Sequence, residues 1–298
     1  MSDPLHRAAD LVVRTAAPLA ATRIEAAVAP TVIQPPHGWE LLDLRELWAY
    51  RELLWVLVSR DVRVRYKQTV LGAAWAILRP VLAMAVFTVV FGRLAKMPSE
   101  GAPYPVFVLA GLLPWTFFST AATAAAESLV GSQGMISKVY FPRLLVPLST
   151  LGVALVDTAV GLVLLVVVAL GYGQPLGASL IWLPASLLLL VLATLALGTF
   201  FSALTVSFRD FRHLAPFLLQ VWLYATPVVY PASLFPPRWR WLLYLNPVAG
   251  PVEGFRAAFL GRPIDSLAML TSLAISAGLL LVAILYFSRV ERRLADVL

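Results

Sequence analysis

Residues 144–170 read LLVPLSTLGVALVDTAVGLVLLVVVAL, a run whose one charge is Asp157. A helix needs about 20 apolar residues to cross a hydrocarbon layer of roughly 30 Å, and this run is long enough. Its apolar character is continuous rather than alternating, which is a helix pattern and not a barrel-strand pattern. Outward from it, five further stretches reach or approach that length: 70–93, 104–126, 181–207, 214–230 and 266–288. The first of these contains Arg79 and the other four carry no charge. The sequence predicts an all-α integral membrane protein with six transmembrane helices.

Composition agrees. Of the 298 residues, 13% are charged and 60% hydrophobic, whereas soluble domains carry about 25% charged residues. An ordinary soluble enzyme is excluded. The absence of cysteine excludes a disulfide framework, thiolate metal sites and cysteine catalysis. His6, His37 and His213 are too few and too scattered for a metal cluster. The net charge of +7 is spread between apolar runs rather than gathered on a polar domain, so no nucleic-acid partner is expected. Six spans place both termini on one side. With the N-terminus inside, inner segments hold 16 Lys and Arg and outer segments six, which predicts cytoplasmic termini. No signal-like segment opens the chain.

Residues 1–39, rich in Ala, Pro and Thr, read as a mobile cytoplasmic extension, and 40–298 as the membrane domain. In 41–68, Leu44, Leu47, Trp48, Leu54, Trp55 and Val58 recur at helical spacing. Acidic residues lead (Glu40, Asp43, Glu46) and basic ones come after them (Arg60, Arg63, Arg65, Lys67), as the helix dipole favours. This predicts an amphipathic helix at the inner interface, either a lipid anchor or a lever for a cytoplasmic partner. The loop GSQGMISKVYFPR (131–143) groups Met135, Ile136, Val139, Tyr140 and Phe141. It fits a partner's groove or packing on the chain's own inner face. Between the last two spans, FPPRWRWLLYLNP (235–247) and PVEGFRAAFLG (251–261) are each too short to cross. They read as two short re-entrant outer helices or as an aromatic belt.

Arg79 and Asp157 are the clear intramembrane charges, and such charges face a bundle interior or cavity. They fit an ion pair between spans, an Arg79 that snorkels to head groups, or an Arg79 that meets an anionic substrate group. Trp115, Phe117 and Phe118, then Phe217, Trp222 and Tyr224, concentrate aromatic faces on the second and fifth spans. They suit packing or a path for sugar rings. No G-x-x-x-x-G-K-[ST], H-E-x-x-H or G-x-S-x-G occurs, so any ATP-driven work requires a separate subunit.

Five blocks carry a resemblance: RDVRVRYKQTVLGAAWAILRP (60–80), AGLLPWTFF (110–118), KVYFPR (138–143), PFLLQVWLYATPVVYP (216–231) and LNPVAGPVEGFR (245–256). Over about 40–290 the chain resembles permease subunits of ABC-type polysaccharide exporters, the type 2 export-permease family. The O-antigen branch is the nearest in appearance, with teichoic acid and capsule exporters as relatives.

That resemblance implies a homodimer in the bacterial inner membrane, bound to two copies of a P-loop ATPase that holds ATP and magnesium. This chain itself has no cofactor. The implied cargo is an undecaprenyl-diphosphate-linked polysaccharide. Arg79, Arg60, Arg63 and Lys67 map to its entrance, and Trp115, Phe117, Phe118, Phe217, Trp222 and Tyr224 to the channel. Leu47, Trp48, Arg51, Met135, Ile136, Lys138, Tyr140, Phe141 and Arg143 map to ATPase coupling. Trp239, Trp241, Tyr244, Asn246, Glu253 and Arg256 map to an outer gate. An exporter of small hydrophobic molecules and an embedded envelope-lipid enzyme are the alternative functions.

Overall fold

The computed structural model describes residues 44–67 and 74–297; side chains are not described at Leu44, Pro237 and 292–297. The extension 1–39, with Glu40 and Asp43, lies outside these residues. Leu41–Leu298 forms one compact unit. The described residues are helical without strands. They comprise α1 (Leu44–Ala49), α2 (Arg51–Lys67), α3 (Ala74–Phe87, continued by a π-helical turn Thr88–Leu94), α4 (Tyr104–Gly131), α5 (Gln133–Ile136) and α6 (Leu145–Gly171). The chain continues with α7 (Trp182–Ser207, after a 3-10 turn Ala178–Ile181), α8 (Phe211–Ala225), α9 (Arg240–Tyr244), α10 (Ala249–Leu260) and α11 (Ser266–Val297).

Among the described residues, five helices are long and apolar enough to cross a membrane: Ala74–Leu94, Tyr104–Gly131, Leu145–Gly171, Ala178–Ser207 and Ser266–Glu291. The expected span at 214–230 takes a different form. Its helix has 15 residues and ends at Ala225, about 22 Å at 1.5 Å per residue. Thr226 is extended, with φ −101° and ψ 137°, because it precedes Pro227 and that ring disfavours the α region before it. Residues 226–231 continue as TPVVYP, non-helical and mostly buried.

Central in the bundle is α4. Every residue from Tyr104 to Trp115 is buried, as expected of a helix apolar all round. It packs against α6, α7, α8 and α10, while α7 also packs against α11. Small residues set these approaches. A Cβ added at Gly111 would lie 2.6 Å from the Val228 carbonyl oxygen, which is backbone and cannot rotate away. Gly111→Ala is therefore expected to destabilise the bundle by about 1–3 kcal/mol, readable as a lower melting temperature in detergent. By contrast, α3 buries none of its residues, and Leu82, Val86 and Leu94 are exposed.

Two short helices, α9 and α10, come next. A turn leads into the second: the Asn246 side-chain oxygen accepts the Val248 N–H at 3.0 Å, the turn-forming bond typical of Asn. Eleven of its twelve residues are buried, all but Glu253. Gly261 ends it in the left-handed region at φ 69°, the usual glycine stop. At 12 residues it spans about 18 Å, too short to cross, and it lies inside the protein rather than on its rim.

Candidate functional site

One site is built from α2, α3, α4 and α6. Helix α2 runs along the first half of α6 instead of standing free of the bundle: Ser149 Oγ meets Asp61 at 3.5 Å, and Val58 lies against Gly152. Beyond these, the Arg65 guanidinium pairs with Asp157 at 2.8 Å, and the Tyr66 hydroxyl donates to the same carboxylate. Burial first, then this bond, pushes the Tyr66 phenol up to about 12, so it remains a donor at neutral pH. The one charge of the 144–170 run is thus neutralised from α2. Arg79 is not its partner. It lies over the Trp75 ring, 5.7 Å from the centroid, and has no ion pair among the described residues.

Two adjoining cavities, of 430 Å³ and 260 Å³, flank this contact. Arg65, Thr120 and Ala154 line both. Arg60, Asp61, Glu127 and Ser149 line the larger; Arg79, Tyr66, Trp75, Thr116, Phe117 and Asp157 line the smaller. Of the entrance residues expected from sequence, Arg79 and Arg60 reach a cavity, though Arg60 is paired with Asp61 at 2.8 Å. Arg63 donates to the Ser59 carbonyl, and neither Arg63 nor Lys67 lines either of these two cavities. The sequence left Arg65 and Tyr66 out of the site. Their signal was the lone Asp157, which demands a cation, and the α2 positions where Asp61 and Arg65 share a face at helical spacing.

The aromatics separate. Trp115, Phe117 and Phe118 are buried; Trp222 meets Phe118 edge to face at 5.7 Å. Phe217 and Tyr224 are 60% and 63% exposed, so these six do not share one surface within a single chain.

The segments expected to couple to a partner meet in one apolar cluster. Leu47, Met135 and Ile136 pack beside buried Phe141, Leu57 and Phe287. Arg143 donates to the Glu291 carbonyl. Trp48 stays exposed with Arg51 above its ring at 5.6 Å. Lys138 and Tyr140 are exposed, and the Tyr140 hydroxyl donates to Glu46 at 3.3 Å. Half of this loop therefore serves the chain's own packing and half faces outward.

At the other end, Arg256 is 1% exposed. Its guanidinium donates to the Val228 carbonyl at 2.6 Å and the Tyr230 carbonyl at 3.2 Å, and pairs with Glu253 at 2.9 Å. It also sits 3.9 Å from the Phe107 centroid. The Tyr104 hydroxyl donates to the Val229 carbonyl at 2.7 Å, and the Asn246 amide to the Thr226 hydroxyl at 2.8 Å. Three successive carbonyls freed by the end of α8 are thereby satisfied by side chains, which allows irregular backbone to be buried. Glu253 also lines a 190 Å³ pocket with Glu100, Ser233, Arg240, Tyr244 and Asp265. The Tyr244 hydroxyl donates to Asp265 at 3.2 Å; burial and that carboxylate hold the phenol above its ordinary value. Trp239 and Trp241 remain exposed. No group of acids or histidines among the described residues could hold a metal ion.

The model of a family described as ABC-2 type transporter matches residues 52–260. An O-antigen export system permease protein of Myxococcus xanthus is 33% identical over 240 residues, covering 80% of this chain and 92% of the relative. A protein of the same description from Klebsiella pneumoniae is 27% identical, covering 83% and 95%. A polysialic acid transport protein of Escherichia coli is 27% identical, covering 76% and 90%.

Proposed function

This chain belongs to the ABC-2 type transporter family, and from that premise we propose that it is the membrane subunit of an ATP-driven exporter of lipid-linked polysaccharide. The cargo is a polymer of O-antigen type on an undecaprenyl-diphosphate carrier, and the direction is outward across the bacterial inner membrane. The observation that carries the cargo class is the 33% identity to an O-antigen export permease across 92% of its length. The 27% identity to the polysialic acid transport protein favours capsular polymer as the second reading.

In this proposal the chain makes six crossings. The fifth is α8 completed by residues 226–231, held in place by Arg256 and Tyr104, and α9 and α10 form a re-entrant outer gate. The termini are then cytoplasmic, as the basic-residue bias favours. Two copies pair through apolar faces that a single copy leaves bare, α3 among them. Two ATPase subunits dock at the inner end, against Trp48, Arg51, Lys138 and Tyr140. Their closure moves α2 through the apolar cluster that joins it to α5 and α11. Arg79, without a carboxylate partner among the described residues, meets the carrier diphosphate at the entrance; a guanidinium suits phosphate through paired charge-assisted hydrogen bonds.

The tagged chain, purified from its own membranes in mild detergent, is expected to bring down one P-loop ATPase in equal amount. A carbohydrate-binding domain on that ATPase would support O-antigen-type cargo. A chain that purifies without any ATPase across several mild detergents contradicts the proposal.

A further inference from the structure

We propose that Arg65 is a two-position residue that reports the filling of the inner cavity. It holds Asp157 while the cavity is empty. It turns to the phosphates when a diphosphate-bearing lipid enters, and so releases the C-terminal end of α2 from α6. This rests on the reading of the chain as an exporter of diphosphate-linked cargo.

Three observations carry it. The first is the charge balance of the 260 Å³ cavity. Arg65 and Arg79 face it against the one carboxylate of Asp157, an excess of one positive charge among apolar walls. A monoanion is neutralised by Arg79 alone. A diphosphate carries more charge than Arg79 can offset, and it competes with Asp157 for the second guanidinium. At 260 Å³ the cavity is smaller than sites for drug-sized ligands, which begin near 300 Å³, so it suits a head group and not the polymer.

The second observation is that Arg65 lines both cavities with its side chain 37% exposed. It has room to swing without unpacking a core. The third is how little else holds this end of α2. Leu57 is the one buried residue of the helix, and past Asp61 its polar ties to α6 are those of Arg65 and Tyr66 to Asp157. Tyr66 stays with Asp157 when Arg65 leaves, which keeps the carboxylate hydrogen-bonded. With one of two ties gone, the helix pivots about Leu57, and movement of α2 becomes conditional on lipid.

The test uses the absence of cysteine from the chain. Asp61→Cys and Ser149→Cys face each other across α2 and α6, one turn beyond Leu57 on the Arg65 side, so they part when that end of α2 leaves α6. The complete transporter with its ATPase is placed in nanodiscs, and the disulfide yield under mild oxidant is monitored. Undecaprenyl diphosphate in the nanodisc is titrated in parallel with inorganic pyrophosphate in solution, and binding of each is measured separately.

The expected result is that the lipid binds and the yield falls by about threefold or more, a shift in the population of the docked helix. Pyrophosphate producing the same fall assigns the signal to the phosphates alone; the lipid alone producing it assigns it to the membrane-borne group. Asp157→Asn is expected to give a low yield that ignores lipid, but the titration with Arg65 and Asp157 intact decides the matter without it. Lipid that binds with unchanged yield overturns the latch and leaves the exporter reading standing. Failure of the lipid to bind at all overturns both.

Discussion

Arg256→Ala is expected to cost about 3–5 kcal/mol, the range for breaking a buried ion pair by removing one partner. Three losses combine. The Glu253 carboxylate loses the guanidinium 2.9 Å away, the Val228 and Tyr230 carbonyls lose their donors, and a cavity opens beside Phe107. Each buried unsatisfied polar group costs about 1–3 kcal/mol. The measurable outcome is a steep fall in the melting temperature of the purified permease and in its amount in the membrane. A control separates the unpaired charge and the cavity from the lost backbone donors. Arg256→Met combined with Glu253→Gln leaves no charge unpaired and is expected to be less damaging than Arg256→Ala alone. Equal damage from both would place the effect in the lost donors to the Val228 and Tyr230 carbonyls, and a stable, abundant Arg256→Ala protein would show that residues 226–231 do not depend on this side chain.

The second large effect is on function. Arg79→Ala is expected to weaken the apparent affinity for undecaprenyl diphosphate by about 10–100-fold, since a charge-assisted hydrogen bond contributes about 1.5–3 kcal/mol. The readout is ATPase activity of the reconstituted transporter as lipid is titrated. Basal ATPase and melting temperature are expected to stay near the unaltered protein's, because Arg79 is exposed and unpaired among the described residues. Arg79→Lys keeps the charge but loses the planar fork, so it should fall between the two. An unchanged lipid titration for Arg79→Ala removes Arg79 from the entrance.

Much of the architecture was legible because the bilayer imposes a strong constraint: each span must satisfy its own backbone and stay apolar for its full length. The expected stretch 104–126 became Tyr104–Gly131, and 144–170 became Leu145–Gly171. The helix of the fifth stretch ends earlier than expected, at Ala225, because hydropathy does not register backbone geometry. Residues 226–230 are as apolar as a helix end, but Pro227 stops α8, and the extended segment after it depends on donors 26 to 125 positions away in sequence. Those long-range donors have no local signature. Tyr104 and Phe107 read only as members of an apolar run.

Charge pairing was legible in part. Asp157 plainly required a partner, and Arg79 was the obvious one by span. The partner is Arg65, because α2 packs alongside α6 instead of lying apart from it, a tertiary fact that periodicity does not encode. The aromatics of 115–118 illustrate the same limit. Their number suggested a sugar path, yet whether a ring faces a lumen or the core is decided by neighbouring helices, and in a single chain these three are covered.

The central claim is that this chain carries lipid-linked polysaccharide outward. The most direct measurement is the fate of that polymer in cells from which the chain has been deleted, with and without a plasmid-borne copy. The account predicts loss of the surface polysaccharide, accumulation of undecaprenyl-diphosphate-linked polymer on the inner side, and restoration of both by the copy. Surface polysaccharide that persists undiminished, with no lipid-linked polymer accumulating, would contradict it.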